Sequence, residues 1–166
     1  MVTDEEFNAL KRKVGELEEK VNRELLRRQE SPIIDEGLEE RIQKFAKDVG
    51  ISVENLRKVF DFGETNLSLI AIIDGKGEEE KQLKAALCIL TAYHYFLSRD
   101  DIVAENLRDK IKNLGIKSLT NLSTYLRRYP NFIICNVRSG SNTSTYKITY
   151  PGIKRGLELI KELSGV

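Results

Sequence analysis

Residues 118–152 read SLTNLSTYLRRYPNFIICNVRSGSNTSTYKITYPG, with five aromatic side chains, four arginines and lysines, and no Asp or Glu. The local pattern divides the stretch into a short helix and a hairpin. Ser118 stands where a cap is expected, and Leu119, Leu122 and Leu126 recur at the spacing of one helical face. Thr120, Asn121, Ser123, Thr124, Arg127 and Arg128 are then left to face outward. Pro130 marks the stop, because the residue before a proline is pushed out of the helical region. Residues 132–137 and 146–149 have the β-branched and aromatic composition of strands, and the SGSN cluster at 139–142 is a turn between them. The predicted hairpin tip carries Arg138, Ser139, Ser141, Asn142 and Thr143, and Lys147 lies on the returning strand.

The absence of acids extends on both sides. Between Asp109 and Glu158 there is no carboxylate side chain, while nine lysines and arginines fall in that window. The chain as a whole carries a net charge of +1, which conceals a division. Residues 1–97 hold 15 basic and 20 acidic side chains, and residues 98–166 hold 12 and 6. A charge split between halves is the composition signal of a polyanion-binding end.

On either side of the opening stretch the pattern is helical. Residues 78–97 (EEEKQLKAALCILTAYHYFL) have an apolar face wide enough for a central, largely buried helix. The segment SRDDIVAENLRDKIKNLGI reads as a further helix, with Ser98 or Asp100 as its cap, Ile102, Val103, Leu107, Ile111 and Leu114 as its apolar face, and Gly115 at its end. Beyond the hairpin, PGIKRGLELIKELSGV places Ile153, Leu157, Ile160 and Leu163 on one helical face. The predicted order is long helix, helix, short turn, helix, two-stranded hairpin, helix.

This order, over about residues 79–163, resembles the winged helix-turn-helix domain. The line YKITYPGIKRGLELIKEL is similar to the second wing strand and final helix of prokaryotic winged-helix regulators, in which a YxLTxxGxxxAxxLI-like pattern recurs. Tyr146, Ile148, Thr149, Gly152 and the Leu159–Ile160 pair match it, and Gly156 stands where the pattern has alanine. The match is at superfamily level. The resemblance implies a recognition helix in a major groove and a wing on the neighbouring backbone, where carboxylates would repel the duplex. Thr120, Asn121, Ser123 and Thr124 are the expected groove contacts, with Ser118, Ser139, Ser141, Asn142 and Thr143 as further DNA-facing polar groups. Arg127, Arg128, Arg138 and Lys147 are the expected backbone contacts, with Lys117 joining them from the turn. The expected partner is double-stranded DNA and the expected role transcription regulation. The alternative is a winged helix that docks on a protein partner without binding DNA.

The N-terminal half has a different composition. Over residues 4–29, Phe7, Leu10, Val14, Leu17 and Val21 follow a 3-4-3-4 spacing among Glu and Lys, the seam of a short coiled coil. Thr3 or Asp4 is placed to cap it. This predicts a homodimer through residues 4–29; a helix packed along its own domain is the competing reading. Pro32 and Gly37 predict a linker or turn. Leu38, Ile42, Phe45 and Val49 then form one helical stripe, and Val53, Leu56, Val59 and Phe60 a second, with Gly50 between them and Ser52 as the cap. Residues 66–74 (NLSLIAIID) read as a strand closed by a turn. The expected fold class is therefore mainly α with a small β-hairpin wing (α+β). Its expected segments are residues 1–31, a long helix; 32–77, a small helical hairpin plus short strand; and 78–166, the winged helix-turn-helix.

No motif argues for chemistry. The GxG of DGKGEEE sits beside three glutamates, and the single histidine, His94, lies on a helix among aromatics. The two cysteines, Cys88 and Cys135, are far apart without a CxxC, so no zinc ligand set, catalytic residue or cofactor is expected. The acidic opening MVTDEEF lacks an apolar signal core, and no apolar run approaches the ~20 residues of a membrane span. The expected location is the cytoplasm.

Overall fold

The computed structural model describes residues 3–29, 33–116, 118–136 and 144–166, with the side chains of 24–29 and 33–36 excepted. It is mainly helical with small antiparallel sheets. Residues 1–39 and 40–166 form two compact units.

Helix α1 runs Asp4–Gln29, as the spacing predicts. A capping box starts it: the Thr3 N–H donates to Glu6 Oε2 at 3.3 Å and the Glu6 N–H to Thr3 Oγ1 at 3.4 Å. Helix α2 runs Ile33–Val49, so Gly37, expected in a linker, lies inside a helix. Pro32 lies outside the described residues.

Gly50 ends α2 at φ +84°, where the Gly50 and Ile51 N–H groups both donate to the Ala46 carbonyl, at 2.9 and 3.0 Å. Helix α3 (Val53–Val59) follows, capped by Ser52, whose hydroxyl accepts from the Asn55 N–H at 3.1 Å. Phe60, expected on the helical stripe, instead opens strand β1 (Phe60–Phe62), paired antiparallel with β2 (Leu67–Leu69). Alternate burial explains the change: a strand sends Phe60 inward and Asp61 outward. The predicted strand at 66–74 is cut to three residues, and Ile70 and Ile72 beyond it are exposed.

Helix α4 (Glu78–Leu97) is the centre of the second unit, buried almost all round from Gln82 to Phe96. The segment before it packs against the same core. Phe45 stacks on Tyr95 at 5.7 Å between ring centroids, Phe62 meets Phe96 at 4.8 Å, and the Arg41 guanidinium covers the Phe96 ring at 4.5 Å. The expected boundary at 77/78 therefore separates no two cores; residues 40–166 share one.

Between α4 and the next helix the sequence reading needs correction. Ser98 caps no helix start. It closes α4 in the left-handed region at φ 54°. Residues 101–103 form strand β3 (Asp101–Val103) rather than a first helical turn. Helix α5 begins only at Ala104 and ends at Lys112, without a side-chain cap. The reason is a partner remote in sequence. Ile102 lies opposite Tyr146, both buried, and the Ala104 N–H donates to the Ser144 carbonyl at 2.8 Å. Strands β4 (Ile133–Asn136) and β5 (Thr145–Ile148) complete a three-stranded antiparallel sheet in the order β3-β5-β4. Between α5 and β4 come a 3₁₀ turn, Leu119–Asn121, and helix α6, Leu122–Arg127. Helix α7 (Tyr150–Leu163) ends the unit, packed on α4.

Residues of the YKITYPGIKRGLELIKEL line have visible structural tasks. Tyr146 and Ile148 are buried on the inner face of β5. Thr149 caps α7, its hydroxyl accepting from the Gly152 N–H at 3.1 Å. A Cβ at Gly152 would strike the Phe132 carbonyl. One at Gly156 would strike Thr91 and stand 2.9 Å from the Leu87 carbonyl, so α7 lies on α4 at a separation only glycine permits. Leu159 and Ile160 fill the core beneath.

Candidate nucleic-acid interface

The 3₁₀ turn and α6 present one face to solvent because Leu122 and Leu126 are fully buried. Ser118, Thr120, Asn121, Thr124, Arg127 and Arg128 are all exposed. Ser118 provides no cap bond; it sits at φ 65°, with its carbonyl accepting from Gln82 Nε2 at 3.2 Å. That bond fixes the start of the turn to the buried side of α4. Ser123 differs from its neighbours: it is half-buried, and its hydroxyl shares a 2.6 Å hydrogen bond with the Tyr146 hydroxyl. It joins α6 to the sheet.

The bases of the acid-free window divide in the same way. Arg128 Nη1 meets Glu79 Oε2 at 2.9 Å while its guanidinium lies 5.7 Å from the Tyr125 ring, and the Tyr129 hydroxyl donates to the same carboxylate at 3.4 Å. Lys110 turns inward. Its ammonium donates to Asn66 Oδ1 and the Leu67 carbonyl, both at 2.6 Å, and burial lowers its pKa. Arg155 pairs with Glu158 at 3.0 Å and Glu162 at 3.7 Å. Arg127 is exposed at the end of α6, near Cys135, whose thiol pKa is raised by burial against the lowering influence of that arginine. Lys147 is exposed on β5, in register between Asp101 on β3 and Ile134 on β4. Lys117, Arg138, Ser139, Ser141, Asn142 and Thr143 lie outside the described residues.

Two bases missing from the sequence-derived set belong to this surface. Arg108 and Lys112, four residues apart on α5, line an open groove of about 740 Å³ with Asp109, Ser118 and Thr120. Their spacing on one outward helical face was the available signal. A second groove, of about 530 Å³, adjoins it at Gly115 and Ile116 and is bordered by Ile70, Ile72 and Ile73. His94 is tied to Asp100 by a 2.5 Å contact and belongs to neither groove. Among the described residues, no three His, Cys, Asp or Glu side chains gather as a metal site, and no helix is long and apolar enough to cross a membrane.

Arg108 and Lys112 share their groove with Ser118 and Thr120, at the start of an exposed strip of hydrogen-bonding and cationic groups that runs on to Arg127. Such a strip is chemically suited to a polyanion with readable edges. No protein-family model, curated protein or solved structure matches this chain.

Proposed function

We propose that residues 78–166 are a winged helix-turn-helix that binds double-stranded DNA, that the chain acts as a dimer through α1, and that its role is regulation of transcription. The observation that carries the reading is the connection α4–β3–α5–turn–α6–β4–β5 with strand order β3-β5-β4. This arrangement sets a short helix with an exposed polar face directly ahead of a hairpin, the geometry in which the helix enters a major groove and the hairpin lies along the backbone. Thr120, Asn121 and Thr124 are the groove-facing groups. Arg127, Lys112 and Arg108 are the phosphate-facing ones, with Lys147 on the hairpin. Ser123, held by Tyr146, positions α6 and is not assigned a base contact.

The test is fluorescence anisotropy of the full chain with mixed-sequence duplex across a salt titration. With about 4–6 phosphates neutralised per face, log K falls by roughly 4–5 for each unit of log salt. Lys112→Glu with Arg127→Glu lowers affinity at least about tenfold and flattens the slope by about 2. Arg128 is left unaltered in this variant because it holds Glu79. A folded double variant that binds duplex as well as the parent refutes the assignment of α6. The second reading, docking on a protein, rests on the exposed Ile70 and Ile72 beside the groove at Ile116. No duplex binding at low salt would favour it.

A further inference from the structure

We infer that α1 pairs with α1 of a second copy as a parallel, in-register, two-stranded coiled coil. The inference rests on the self-association proposed above and supplies its orientation and register. Residues 3–23 are exposed throughout, and the seam is no exception: Phe7, Leu10, Val14, Leu17 and Val21 are each 49–66 % exposed. A helix that leaves its apolar stripe in water gains little stability alone. The 3-4-3-4 spacing puts Phe7, Val14 and Val21 at the a positions of a heptad and Leu10 and Leu17 at d. Valine at a with leucine at d favours two parallel strands.

Charge decides the orientation. The g positions are Glu6, Lys13 and Lys20, and the e positions are Asp4, Lys11 and Glu18. In a parallel pair each g faces the e five residues further along the other strand. Glu6 then faces Lys11 of the second copy and Lys13 faces Glu18, and the two-fold symmetry makes each attraction twice. An antiparallel pair centred on Arg12, with Val14 against Leu10 and Phe7 against Leu17, sets Lys11 against Lys11, Lys13 against Lys13 and Asp4 against Glu18, leaving only Glu6 with Lys20 attractive; sliding it one layer gains Lys11 with Glu18 but sets Lys13 against Lys20 and Phe7 against Glu24. The capping box uses one oxygen of Glu6, Oε2, so Oε1 remains for the lysine across the seam. Lys11 already leans over the seam edge, its ammonium 5.8 Å from the Phe7 ring centroid. Parallel strands release both copies of residues 40–166 from the same end of the coil.

The experiment uses the full chain with Cys135→Ser, since the buried Cys88 resists labelling. Spin labels are placed at Glu5→Cys or Arg12→Cys, both at outward f positions, and pair distances are read by double electron–electron resonance. Arg12 is level with its counterpart in the parallel coil and in the antiparallel register centred on it. Glu5 is level with its counterpart only in the parallel coil; the antiparallel one offsets the two by 14 residues, about 21 Å along the axis. Equal distances at the two sites are expected, and a clearly longer distance at Glu5 overturns the orientation. Sedimentation equilibrium tests the underlying self-association separately. A 19.0 kDa species alone up to ~100 µM overturns it, whatever the chain does with DNA. Lys11→Glu with Lys13→Glu weakens a parallel dimer roughly tenfold or more by turning four attractions into repulsions. The same double change exchanges like pairs for like pairs in an antiparallel dimer, so unchanged association overturns the parallel register.

Discussion

Replacing Gly156 by alanine tests the closest approach in the fold. Alanine in a helix interior is favoured over glycine by about 1 kcal/mol, so propensity alone predicts a more stable protein. The structure predicts the reverse. An added Cβ would overlap Thr91 Oγ1, stand 2.8 Å from Thr91 Cβ and 2.9 Å from the Leu87 carbonyl. Two of these neighbours cannot move aside: one is backbone, and the other belongs to a β-branched residue with few helical rotamers. Relief requires α7 to lift from α4. Overpacking of this kind costs roughly 1–3 kcal/mol and at times more; two immovable contacts put this site at the upper end, about 3 kcal/mol, for a net loss of about 2 kcal/mol after the propensity gain. In a unit of this size that lowers Tm by roughly 10 °C. Thr91 supplies the internal control, because its hydroxyl is buried and makes no hydrogen bond. Thr91→Ala loses one buried methyl, about 1 kcal/mol, and relieves a desolvated hydroxyl worth about as much or more. That variant is expected within about 1 kcal/mol of the parent. Urea denaturation of the parent, both single variants and the double variant closes the cycle, and the double variant should recover at least about 1 kcal/mol of the Gly156→Ala loss. Additive single effects, or a Gly156→Ala chain as stable as the parent, would refute the crossing.

Tyr146→Phe removes the 2.6 Å bond to Ser123 and leaves a half-buried hydroxyl without its partner; a loss of about 1 kcal/mol in urea denaturation is expected, together with weaker duplex binding as α6 loosens. Ser98→Gly relieves a left-handed serine at the end of α4 and should stabilise the chain by about 0.5–1 kcal/mol, read as a higher urea midpoint. Burial pushes the Cys88 thiol from 9.0 up to about 12. A raised folded-state pKa means stability fully present below pH 9 and lost as pH rises toward 12, about 3 kcal/mol by pH 11. Tyr93 and Tyr95, also raised by burial, act in the same direction, and Lys110, lowered by burial, opposes them. Cys88→Ala should remove most of the difference between urea curves taken at pH 9 and pH 11; an unchanged difference would show that the thiol is not the source.

Local signals were legible and remote ones were not. The helix α1, the Ser52 cap and the Gly50 stop depend on residues within one or two turns of each other, and the sequence shows them directly. Strand β3 has the local sequence of a helix start, because Asp100 and Asp101 look like first-turn acids and the apolar pair Ile102–Val103 suits either period. Its pairing with Thr145–Lys147, more than 40 residues later, has no local trace. The reach of Phe45 to Tyr95 and of Phe62 to Phe96, with Phe60 against both phenylalanines, joins two segments that composition separates. At the candidate interface, an outward position on a helical wheel does not mean an available side chain: Ser123 is half-buried against Tyr146, and Arg128, though exposed, already holds Glu79.

These internal partners change how the surface must work. Nine bases without a carboxylate look like a strong phosphate-binding face, but Lys110, Arg128 and Arg155 are held by groups of the chain itself. Lys147 lies in register with Asp101, which further lowers the field on the sheet. Among the described residues the electrostatic footprint is therefore modest: Arg108 and Lys112 beside Ser118 and Thr120, and Arg127 exposed at the end of α6. On the proposed reading, a footprint of that size predicts weak, salt-sensitive binding to any duplex, since phosphate contacts supply most of the non-specific affinity. Useful affinity then requires two such faces on one DNA, where linkage raises the effective concentration of the second face after the first has bound. Dimerisation through α1 and duplex binding are thus expected to fail together: Leu10→Asp with Leu17→Asp, which charges only the exposed seam, should abolish tight binding to a two-site duplex while leaving weak single-site binding intact. Equal affinity of that variant for the two-site duplex would show that a single face suffices, and that the footprint is stronger than its unpaired bases imply.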